Sequence, residues 1–88
     1  MPGSVPGKPN RKPSSEILWR LSENLRRLRK ARGYTQRELA NICGFSTSYI
    51  GNVEQGTVNI TLANLETLGR GLYCSAEDLL RKPASLER

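Results

Sequence analysis

The side chains of this chain restrict it to hydrogen bonding and charge. Its 88 residues contain no histidine, and its two cysteines, Cys43 and Cys74, are far apart with no Cys-x-x-Cys pair. Zinc ligation, thiol redox chemistry and His-assisted nucleophilic catalysis need those residue types in close patterns. No glycine-rich phosphate loop follows a strand pattern either. No metal, no cofactor and no enzyme active site is therefore expected. Both thiols lie within apolar patterns and read as small buried residues. What remains is a run of neutral polar side chains. The Asn52 carboxamide matches the N6 and N7 edge of an adenine, Thr47 offers a hydroxyl and a methyl suited to thymine, and Ser48 is permissive. No Arg or Lys lies between Thr47 and Gln55, so the commonest guanine contact is missing from this segment.

Charge adds a second signal. Of a net +6, Lys8, Arg11 and Lys12 supply three without any acid in residues 1–13. Arg20, Arg26, Arg27, Arg29, Lys30 and Arg32 stand against only Glu16 and Glu23, and the rest of the chain is slightly acidic. Such asymmetry points to a polyanionic partner, or else to a solvated tail and helix face. No apolar run approaches a membrane span, and residues 1–15 lack the apolar core of a signal peptide, so no membrane association and a cytoplasmic location are expected.

The elements that must position these groups are all helical. Residues 1–14 are rich in Pro, Gly and Ser and read as a disordered basic arm. Leu18, Leu21, Leu25 and Leu28 recur at helical spacing after a cap at Ser14 or Ser15, and Gly33 stops that helix. Thr35 and Glu38 form a capping box for a short helix ending at Gly44. Ser46 caps a third helix reaching about Gln55, with Ile50 and Val53 on its apolar face. Thr61 caps a fourth with the stripe Leu62, Leu65, Leu68 and Leu72, where Gly69 and Gly71 imply either close packing or a loose end. Ser75 opens a fifth helix with Leu79 and Leu80, ended by Pro83, and residues 83–88 read as a C-terminal tail. Residues 15–82 thus form one all-α domain. Between the second and third helices, Ala40 allows a sharp crossing and Gly44 the turn. The third helix then projects Thr47, Ser48, Gly51, Asn52 and Gln55 outward, as a recognition helix does in a major groove.

The segment TQRELANICGFSTSYIGNVEQG, with LRRLRKARGY before it and NITLANLETLGRGLYCSAEDLL after it, resembles the Xre-type regulators of the phage Cro and lambda-repressor kind. The likeness covers about Leu21 to Leu80. The loop VNIT and the short chain resemble, within that family, the controller proteins of restriction–modification systems. The resemblance implies a five-helix lambda-repressor-like domain with a helix-turn-helix, bound to double-stranded DNA as a homodimer on a two-fold-related operator. It implies base contacts from Thr47, Ser48 and Asn52, with Tyr49 at the groove wall. It implies phosphate contacts from Gln36 and from Thr35, Arg37, Gln55 and Asn59, and an Arg29–Glu54 pair tying the first helix to the third. Lys8, Arg11 and Lys12 would extend the phosphate contacts as an arm. The chain departs from the family pattern in an early start to the first helix, in Gly69 and Gly71 where alanine is usual, and in Tyr73 where glycine often closes the fourth helix.

One recognition helix buries too little surface for specific affinity, which favours a dimer. Adjacent Leu79 and Leu80 cannot both turn into one small core, and Ile17, Trp19 and Leu86 add apolar surface near the chain ends. The dimer surface is therefore expected on the fifth helix, through Leu79 and Leu80, with the start of the first helix beside it. An antitoxin that binds both DNA and a toxin, and a purely protein-bridging module, are alternative readings. A protein partner, whether a toxin or RNA polymerase, stays open.

Overall fold

The computed structural model describes residues 15–84. The arm residues Lys8, Arg11 and Lys12, and Leu86, lie outside them. Among the described residues there are five helices and no strand: α1 (Glu16–Ala31), α2 (Gln36–Cys43), α3 (Thr47–Gln55), α4 (Leu62–Leu72) and α5 (Ala76–Leu80).

Each helix starts on a hydroxyl. Ser15, Thr35, Ser46, Thr61 and Ser75 accept a hydrogen bond from the backbone N–H three residues on, which satisfies one of the free donors of a first turn. Thr35 with Glu38, and Ser75 with Asp78, complete reciprocal capping boxes. The ends of α2 and α3 pass through Gly44 and Gly56 in the left-handed region. α4 closes on Tyr73 at φ 60°. A side chain is strained there, and the Arg32 guanidinium stacks 4.5 Å over the Tyr73 ring.

Leu21, Leu25, Leu39, Ala40, Ile50, Val53, Leu65, Leu68, Leu72 and Leu79 form one buried core. α1 runs between α3 and α5, and α4 packs against α2 and α5. The two helical glycines mark close approaches. A Cβ on Gly69 would lie 2.7 Å from the Cys74 carbonyl oxygen, and one on Gly71 would lie 2.8 Å from the Cys43 sulfur. Close packing, and not a loose helix end, accounts for both.

Two apolar assignments are corrected. Leu62 is 78% exposed; successive steps of three drift by about −60° around a helix, so the first leucine of the stripe is rotated away from Leu68 and Leu72. Leu79 is fully buried in its own domain and is unavailable as a dimer contact. Neighbouring residues on a helix are about 100° apart, and α5 uses that angle to turn Leu79 inward and leave Leu80 half-buried at the flank. Asn24 is a structural residue that the sequence reading misses. Fully buried, its side-chain N–H₂ donates to the carbonyls of Leu79 (2.9 Å) and Arg81 (2.7 Å), fastening the end of α5 to α1. Its place on the leucine stripe, three after Leu21 and four before Leu28, is the signal that marks a buried polar group.

Candidate nucleic-acid interface

Ala40 is buried where α2 meets α3, and the N–H of Phe45 returns to the Ala40 carbonyl at 2.9 Å, tightening the turn around Gly44. From there α3 turns Ile50, Val53 and Glu54 into the protein. Thr47, Ser48, Asn52 and Gln55 are all exposed, on an arc of about 140° around the helix. Gly51 lies within that arc, half-buried beside the Gln36 side chain. The Asn52 side chain makes no hydrogen bond among the described residues, while its carbonyl accepts from the Thr57 N–H (3.1 Å) and hydroxyl (3.2 Å). The carboxamide is thus free for a partner on a well-held backbone.

Tyr49 is half-buried at the start of α3. Its ring packs edge-on against Phe45 at 4.9 Å, and its hydroxyl accepts from the Asn64 amide at 3.1 Å. It braces the start of α3 against α4, and the hydroxyl still has its own proton to donate. Gln36 is also engaged internally: its amide donates to the Glu54 carboxylate at 3.0 Å. Thr35 uses its hydroxyl as the cap of α2. Arg37, Gln55 and Asn59 are exposed.

Behind α3 lies a polar cluster. Arg29 donates to Glu54 through Nε (2.6 Å) and Nη2 (3.2 Å), and through Nη1 to the Tyr34 carbonyl (2.8 Å). The side chains are only 11% and 4% exposed. Among the described residues no buried side-chain nitrogen or oxygen lacks a hydrogen-bond partner, the condition under which a buried pair is tolerated. Arg26 donates to the Glu54 carbonyl at 2.5 Å. Part of the basic run of α1 is engaged within the domain, Arg20 with Glu16, Arg26 with Glu23 and Arg32 with the Leu72 carbonyl, while Arg27, Lys30 and Arg32 stay exposed. Part of the early clustering of charge that suggests a polyanion partner serves to tie elements together, through Arg26, Arg29 and Arg32.

The thiols of Cys43 and Cys74 are both shifted up by burial, with Asp78 raising Cys74 further; they remain protonated at neutral pH and poorly nucleophilic. Among the described residues no cluster of His, Cys, Asp and Glu could hold a metal ion, and no helix is long and apolar enough to cross a membrane.

The HTH_3 family model, described as helix-turn-helix, matches residues 25–79. The chain belongs to this helix-turn-helix family. The family is one of DNA-binding transcription regulators. A relative named as control protein C.SmaI, from Serratia marcescens, is 39% identical over 70% of this chain and 74% of its own length. A hypothetical transcription factor from Neisseria meningitidis is 38% identical over 72% of this chain, which spans only 59% of that protein's length. Among solved structures, the restriction-modification controller protein C.AhdI from Aeromonas hydrophila superposes with a TM-score of 0.70 at 35% identity, over 74% of this chain and 98% of that one. The helix-turn-helix is α2 and α3.

Proposed function

We propose that this helix-turn-helix protein is a homodimeric, sequence-specific regulator that occupies a two-fold-related operator in double-stranded DNA. The observation that carries the reading is the outer face of α3, where Thr47, Ser48 and Asn52 are exposed while the opposite face is clamped by Arg29 and Glu54. Asn52 reads an adenine, with Thr47 and Ser48 on neighbouring bases. Arg37, Gln55, Asn59 and the N-terminal end of α2 at Thr35 and Gln36 meet phosphates, with the helix dipole favouring an anion there. Lys8, Arg11 and Lys12 contribute further phosphate contacts. The dimer forms through Leu80 with Ile17 beside it, supported by the 48% exposure of Ile17 and by Arg20 reaching the Leu80 carbonyl. Relatives named as restriction–modification control proteins suggest that the regulated genes are of that kind, and we place the protein in the cytoplasm.

Binding-site selection with purified protein tests the reading; it is expected to return a motif with two-fold symmetry and half-sites about 34 Å apart. Asn52→Ala should then cost roughly 1–3 kcal/mol on the selected site and relax one base position in each half. An equal loss on selected and random DNA would remove Asn52 from base reading. Salt dependence is assigned to the arm and to Arg37, the exposed base of α2. Deleting residues 1–13 should make the log–log salt slope shallower by up to about 2.7, at about 0.9 for each phosphate no longer neutralised. An unchanged slope would show that the arm does not touch DNA.

A further inference from the structure

We propose that Arg26 is a positioning residue for base reading: it holds the C-terminal end of α3, and with it Asn52, at the angle the groove requires. The proposal rests on the base-reading role given to α3 above. The last carbonyls of a helix have no partner within it. At the end of α3 the Asn52 and Val53 carbonyls are met by the N–H groups of Gly56 and Thr57. The Glu54 carbonyl is met by Arg26, whose Nη2 donates at 2.5 Å while Glu23 holds Nη1 at 3.2 Å. A cation at that end also opposes the negative pole of the helix.

Arg26 and Arg29 are three apart and share a face of α1. Arg29 grips the Glu54 side chain, and Arg26 grips the Glu54 backbone. One contact limits a distance, whereas two at different points of one residue also limit rotation. Asn52 lies two residues from this double grip. Thr47 and Ser48 lie about 10 Å from the grip along the axis, where the Ser46 cap and the Tyr49–Asn64 bond hold the chain separately. Loss of Arg26 should therefore loosen the Asn52 end of the helix more than the Thr47 end.

The test uses the full chain with Arg26→Met, which keeps the apolar stem and removes the donors, and with Arg26→Lys, which restores a charged donor. Competition titrations against single-base variants of the selected operator measure discrimination, after far-UV circular dichroism has established folding at the working temperature. Arg26→Met should lose about tenfold in discrimination, equivalent to one 1.4 kcal/mol step, at the base position that Asn52→Ala defines. The Thr47 position and the salt slope should not change, and Arg26→Lys should recover part of the loss. If Arg26→Met does not fold, the Lys variant carries the test, with an intermediate loss at the Asn52 position expected. A uniform loss on all DNA with a slope shallower by about 0.9 would make Arg26 a phosphate contact and overturn the proposal. Unaltered discrimination would overturn it as well. If Asn52→Ala itself shows no base preference, the base-reading proposal fails and this one falls with it. If Asn52→Ala behaves as expected, the Arg26 result judges this inference alone.

Discussion

Removing the Glu54 carboxylate should strongly destabilise this domain. Glu54 accepts three hydrogen bonds, two from Arg29 at 2.6 and 3.2 Å and one from Gln36 at 3.0 Å. With Arg29 only 11% exposed, Glu54→Ala leaves a guanidinium with little access to water and no counter-charge. Breaking one side of such a buried pair costs about 3–5 kcal/mol. A chain of this length holds roughly 4–13 kcal/mol in total, so the loss takes from about a quarter to all of its stability. At about 4–8 °C per kcal/mol for a domain of this size, the melting midpoint should fall by at least 12 °C. Guanidinium unfolding followed by circular dichroism measures the free-energy change directly. Replacing both partners, Arg29→Met with Glu54→Leu, should return most of the stability, since apolar replacements of buried pairs are often neutral or better. The double variant should nevertheless bind operator poorly, because Gln36 loses its anchor and α3 loses its side-chain grip. A Glu54→Ala cost below about 1 kcal/mol, the range of an exposed pair, would refute the reasoning. A double variant no more stable than the single one would refute its second half.

Gly69→Ala should destabilise by about 1–3 kcal/mol through overpacking, despite the roughly 1 kcal/mol that alanine gains in a helix interior, because the neighbour 2.7 Å from its Cβ is the Cys74 backbone carbonyl; a stabilised variant in denaturant titration would show that the backbone yields there. Leu80→Asp should give a folded monomer with weakened operator binding by sedimentation and titration, whereas Leu79→Asp should unfold the chain, since Leu79 is fully buried; a Leu80→Asp protein that still sediments as the wild type would move the dimer surface elsewhere. The Asp78 carboxyl is held below its usual range by the Ser75 backbone N–H first, then by Arg81 and the Ser75 hydroxyl. A lowered folded-state value means that its contribution is complete above the ordinary Asp value of about 3.9 and is lost as pH falls through the folded one. Acid titration by NMR should show this low value and its return toward normal in Arg81→Ala and Ser75→Ala.

Much of the fold was legible along the chain because it is written in short-range chemistry. A cap joins a hydroxyl to an N–H three residues away, so Ser15, Thr35, Ser46, Thr61 and Ser75 could each be read without tertiary knowledge. The turns at Gly44 and Gly56, and the leucines of α1 three and four apart, are equally local. The outward face of α3 followed from the periodicity of Ile50 and Val53, which left Thr47, Ser48 and Asn52 on the other side. The Arg29–Glu54 pair was available only through family resemblance, since 25 residues separate its partners.

Other assignments needed the packed molecule. Nothing local to Tyr49 announces that Asn64, on another helix, donates to its hydroxyl. Leu79 and Leu80 are indistinguishable until α5 docks and its rotation chooses which one faces the core. The arginines of α1 are the clearest case. Arg20, Arg26 and Arg32 reach the backbone carbonyls of Leu80, Glu54 and Leu72. Every residue carries a carbonyl, so such partners leave no trace in residue identity. By itself the sequence determined where helices begin and end and which faces are apolar, because those depend on neighbours within a turn or two. Only the tertiary structure decided which helix end each long cationic side chain would meet, because that depends on which unpaired carbonyls the packing brings within its reach.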